Sequence, residues 1–137
     1  MTKFVSSVLT VAIILVTLAG CGGSALPADA RQRVCEGLTS LQTTVAQFAA
    51  VDANTKVADL KQIKTKVDGA VQAIKTANQL LKLTAVDQLT ASYDDLSTQI
   101  DGMSGDSLGT SAVQIQIGAQ KLNTTFAQAS TALNCGQ

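Results

Sequence analysis

The sequence predicts an all-α protein, an up-down-up-down bundle of four helices whose third helix is short. Apolar side chains recur every three or four residues in four separate runs, the spacing that lines one side of a helix. Clusters of Gly, Asp, Asn, Ser and Thr divide those runs, as turns require. Cys35 stands near the beginning of the first run and Cys135 just past the end of the last. Those two positions meet only if the number of helices is even.

The first helix is expected over roughly Ala28 to Ala50, with Val34, Leu38, Leu41, Val45 and Phe48 on one side. Asp29 near its start suits the positive end of the helix dipole. Asp52-Ala53-Asn54-Thr55 supplies the stop, and Asn54 or Thr55 is placed to cap the next helix. That second helix runs from about Lys56 to Lys82 on a stripe of Leu60, Ile63, Val67, Ala70, Ile74, Ala77 and Leu81. Gly69 lies inside it at a propensity cost of about 1 kcal/mol.

The stripe loses phase after Leu81 and resumes as Val86, Leu89, Tyr93, Leu96 and Ile100, which divides what would otherwise be one very long helix. Thr84 and Asp87 resemble a capping box with Asp in place of Glu, and start the short third helix there. Gly102, Gly105 and Gly109 mark a flexible turn. The last helix, from Leu108 or Ser111 to Leu133, carries Ala112, Ile115, Ala119, Leu122, Phe126, Ala129 and Leu133 on one side, and Asn134 with Gly136 fits its stop.

Charge agrees with this order. The second helix holds six lysines against two aspartates, whereas Ala85 to Thr110 holds five aspartates and no basic residue. Adjacent antiparallel helices of opposite sign attract, although each exposed pair contributes only a few tenths to about 1 kcal/mol. Most of the lysine charge is read as a solvated helix face.

The N-terminus has a different composition. Lys3 and the initiator amine precede the apolar run Val8 to Leu18, whose length suits the core of an export signal better than a membrane span. Leu18-Ala19-Gly20-Cys21 then resembles the lipobox of bacterial lipoproteins. The resemblance covers residues 1–21 and implies cleavage before Cys21, a diacylglyceryl group on its thiol, and in many bacteria an acyl chain on the new amine. It implies a signal peptide over residues 1–20, a lipid-anchored linker over 21–27 and a helical domain over 28–137. Two or three acyl chains anchor a protein far more firmly than one. Gly22 follows the cysteine in place of the Asp that resembles an inner-membrane retention signal. The expected address is therefore the outer membrane of a two-membrane organism, or the outer face of the plasma membrane in a single-membrane one.

Outside the cytoplasm the remaining cysteines, Cys35 and Cys135, are expected to form a disulfide. Two free buried thiols or a metal site are the alternatives; two thiolates in a chain without histidine do not complete a zinc shell. Without residues 1–20 the chain has 9 basic and 10 acidic side chains, too balanced to attract nucleic acid. Phe48, Tyr93 and Phe126 are the only aromatics after residue 20, so the core should be thin and aliphatic.

Catalytic chemistry is not in evidence. No histidine is available to activate a serine or cysteine. Asp94 and Asp95 are neighbours on a helix and diverge by about 100°. The glycines near Gly105 lack the lysine and the preceding strand of a phosphate loop. The expectation is a non-enzymatic binding or scaffolding module near a membrane, with no cofactor and no metal, whose bound lipid is that on Cys21. Val113 and Ile117, opposite the main stripe of the last helix, are the candidate contact for a protein partner or a second copy. A carrier of a small apolar ligand within the bundle is the alternative, and would need a pocket of about 300 Å³ or more.

Overall fold

The computed structural model describes residues 27–136. Four helices follow one another: α1 Pro27–Ala49, α2 Val57–Leu81, α3 Thr84–Asp101 and α4 Ala112–Leu133, the last preceded by a single 3-10 turn at Gly109–Ser111. Each helix packs on its neighbours in the chain, and α1 closes the ring against α4. This is the expected four-helix arrangement with the third helix shortest. Among the described residues no helix is long and apolar enough to cross a membrane.

The helices form because their apolar periodicity has somewhere to go. In α1 the buried positions are Ala30, Val34, Leu38, Leu41, Val45 and Phe48, one turn apart throughout. In α4 the expected stripe is buried except for Phe126, which packs partly against the core. In α2, Val71 and Asn78 are buried, whereas Ile63, Ala70 and Leu81 are only partly so. α2 lies between α1 and α3 and so buries a wider arc than a single stripe.

Two glycines seat the closest-packed pairs. A methyl group placed on Gly37 of α1 would meet Ile74 Cγ1 of α2 at 2.7 Å, and one on Gly118 of α4 would meet Leu96 Cδ1 of α3 at 2.8 Å. Gly69, in contrast, has nothing within 4 Å of where its methyl would stand.

Both helix-start assignments from side-chain capping are corrected by the structure. Neither Asn54 nor Thr55 caps α2: the N-cap is Lys56, with no side-chain cap bond. Asp52 Oδ1 instead accepts from the Asn54 N–H at 2.9 Å and from the Thr55 hydroxyl, so these groups tighten their own loop. The orphan N–H of Val57 donates to the carbonyl of Asp106 in the α3–α4 loop at 3.2 Å, and the N–H of Leu108 returns to the Thr55 carbonyl at 2.9 Å. The N–H of Gly109 adds a third bond to the Ala53 carbonyl. A backbone clasp thus replaces a side-chain cap and satisfies the helix end.

At the opposite end, the Thr84 and Asp87 capping box does not form. The N-cap of α3 is Leu83, without a side-chain cap bond. Buried Asn78 takes over the turn: its Oδ1 accepts from the Leu83 N–H at 3.0 Å, and its Nδ2 donates to the Leu83 carbonyl and to Asp87 Oδ1. The break falls where the stripe loses phase, and Lys82 turns the chain in the left-handed region at φ 52°.

The glycines give a paired prediction. Gly69→Ala should raise stability by about 0.5–1 kcal/mol through helix propensity. Gly37→Ala should lower it by about 1–3 kcal/mol because Ile74 must leave its packed position. Denaturant unfolding of both variants checks the sign difference.

Candidate functional site

Cys35 and Cys135 are joined by a disulfide with their Cα atoms 5.5 Å apart. The bond needs α4 to stop on time, and it does. Asn134 adopts the left-handed conformation at φ 52°, and the Cys135 N–H donates back to the Ser130 carbonyl, which turns the sulfur toward α1. The bridge spans 100 residues of sequence, a loop worth about 4–5 kcal/mol in the chain-entropy model. It joins α1 to α4, an adjacent pair that no interhelical loop connects.

Cys21, the expected lipid attachment point, lies outside the described residues, as do the expected signal peptide and nearly all of the expected linker. Val113 and Ile117 stand one turn apart on α4 and are 57% and 53% exposed. Leu80 on α2 is 50% exposed and was concealed in the sequence by its neighbour Leu81, which belongs to the stripe.

Ile117 borders a groove of about 320 Å³ between α3 and α4, lined also by Leu96, Gly118, Asp95 and Lys121. Thr98, Gln99 and Gln114 connect it to a larger groove of about 610 Å³ at the loop end, with Val57, Met103 and Leu108 among its walls. Ser104, Ser107 and Ser111 make much of the remaining lining polar. These grooves lie on the outside of the bundle. Its axis is filled by Leu38, Leu60, Ile74, Leu89, Ile115 and Leu122, all essentially inaccessible. The larger groove exceeds the volume a carrier needs, but it is not a cavity within the bundle.

Three ion pairs join helices. Asp94 and Asp95 diverge as their adjacency on a helix requires: Asp94 pairs with Lys75 of α2 at 2.8 Å and Asp95 with Lys121 of α4 at 2.7 Å. Lys64 of α2 lies between Asp68 at 3.1 Å and Asp101 of α3 at 3.4 Å. The Tyr93 hydroxyl from α3 donates to Asp68 Oδ1 and reaches the Lys64 carbonyl. The hydrogen bond that Lys64 donates to Asp68 holds its ammonium above its ordinary range, against the opposing effect of burial. Burial, reinforced by the adjacent Asp68 carboxylate, raises the Tyr93 phenol well above its ordinary range.

Near the chain's first helical turns, Glu36 accepts from Gln32 Nε2 at 2.9 Å along the exposed face of α1. Among the described residues, no three His, Cys, Asp or Glu side chains come together as a metal-holding group. The arrangement is that of a compact four-helix bundle with paired surface charge and an open groove on the α3–α4 side. No protein-family model, curated protein or solved structure matches the chain.

Tyr93 is the only tyrosine, and no tryptophan is present, so its absorbance can be followed alone. A raised phenol or ammonium pKa in the folded state contributes stability that is complete below the unfolded value and is lost as pH rises beyond it. Both Tyr93 and Lys64 are raised, so stability should fall above about pH 10. Tyrosinate absorbance should appear only with loss of helix signal. Tyr93→Phe should make the alkaline fall in stability shallower, as read from denaturant midpoints across that range.

Proposed function

We propose that the chain is a lipoprotein of the bacterial envelope, held outside the cytoplasm by an acylated Cys21, whose folded part is a non-catalytic binding or scaffolding module. The observation that carries this reading is the division of the three cysteines. Cys35 and Cys135 are paired in a bridge of the kind that persists in oxidising compartments. Cys21, in the lipobox, is left over for lipid.

The geometry supports a simple orientation. Five residues separate Cys21 from Pro27, where α1 begins, and the six steps between them reach about 20 Å when fully extended. The 23 residues of α1 then extend about 35 Å away from that point. The α1–α2 and α3–α4 loops, the larger groove and the exposed pair Val113 and Ile117 belong to the far end. An anchored bundle of this kind offers its partner surface away from the lipid, where a partner helix or a second copy can reach it. With the axis filled by aliphatic side chains, the carrier alternative gains no support from the interior.

Mass measurement of the protein isolated from a lipidating bacterium tests the address. A chain beginning at a diacylglyceryl-modified Cys21 is expected, and an unmodified residue 21 or a retained signal overturns the anchor. The binding face is tested by exchanging Val113 and Ile117 together for Lys. Loss of partner capture, or of self-association in sedimentation, is expected with helix content intact; unchanged association removes this face from the proposal.

A further inference from the structure

We infer that the hairpin tip between α2 and α3 is a second membrane contact, set against the lipid surface by Leu80 and Lys82. This rests on the anchored reading of Cys21, and it assigns a surface of the folded domain that the anchor alone does not require.

The register of the bundle places the tip. Gly37 of α1 faces Ile74 of α2, and the two helices run in opposite directions. Counting one way along α1 and the other along α2 sets Ala30 level with Leu81. Leu80, Leu81, Lys82 and Leu83 therefore stand beside the first turn of α1, at the end where the chain leaves Pro27 toward Cys21. The five residues between Cys21 and Pro27 keep that end within about 20 Å of the bilayer.

The chemistry of the tip fits such a surface. Leu80 is half exposed, while Leu81 and Leu83 turn partly into the core and hold the hairpin in place. Lys82 occupies the apex at φ 52°, the same conformation that α4 assigns to Asn134. Asparagine tolerates that region through its short polar side chain; lysine does not favour it, and glycine would relieve it. A long cationic side chain is nonetheless carried there. Lys56, Lys61, Lys66 and Lys82 take part in no ion pair among the described residues, and of these only Lys82 stands at this end of the bundle. Asp87, the nearest acid along the chain, is engaged by Asn78. An exposed leucine beside an unpaired ammonium suits the boundary between acyl chains and anionic headgroups. The anchor supplies the proximity that makes so small a contact effective.

The absence of tryptophan allows a direct test. Full-length protein carrying Leu80→Trp, matured in a lipidating host, is reconstituted on vesicles of brominated phosphatidylcholine with or without phosphatidylglycerol. A second protein carries Asn54→Trp at the far end. Quenching at position 80 with none at position 54 is expected, stronger on the anionic vesicles and reduced by Lys82→Glu. Protein that floats with the vesicles yet shows no quenching at position 80 overturns the tip contact while leaving the anchor standing. Protein that does not float removes the anchor and the contact together. A blue shift at position 80 that grows with protein concentration, without bromine quenching, assigns the leucine to a second copy and also overturns the proposal.

Discussion

Closure of α1 onto α4 is the constraint on which the rest of this bundle depends. The other three neighbouring pairs are held in register by the short connections between them, but α1 and α4 lie at opposite ends of the chain. Cys35 and Cys135 supply the missing connection. With few aromatic side chains, the core relies on leucine, isoleucine, valine and alanine, and a covalent restriction of the unfolded chain complements that modest burial. The left-handed turn at Asn134 is small in extent but aims the second sulfur.

The remaining specificity comes from short-range fit and from charge order. Gly37 and Gly118 let α1 approach α2 and α4 approach α3, so the bundle is built from two tight hairpins laid together. Between the hairpins, Lys75 with Asp94 and Lys64 with Asp101 join α2 to α3. The exposed pair stabilises little, whereas the half-buried group around Lys64 and Tyr93 leaves few alternatives for how α2 and α3 slide past each other.

Much of this was legible in the sequence because it depends on local periodicity. The helix limits, the loss of phase after Leu81, the turn at Asn134 and the exposure of Val113 and Ile117 all follow from which residues recur at helical spacing. What was not legible depends on residues distant in the chain. Side-chain capping was expected at the starts of α2 and α3, yet the α2 start is completed by a carbonyl of the α3–α4 loop and the α2–α3 turn by Asn78. A polar residue one position beyond Ala77 gives no local sign that it will be buried. The pairing of Asp95 with Lys121 was likewise hidden, because the acidic run was matched only to the lysine-rich helix. The grooves on the α3–α4 side arise from how two helix surfaces diverge, which no linear pattern records.

The position of the bridge also determines how tension would pass through the molecule. A pull between Pro27 and Val113 runs up the first turns of α1 to Cys35, across the sulfurs, and back along α4. The clasped loops, α2 and α3 are bypassed, so two helices and one covalent bond carry the load while the other half of the bundle remains slack.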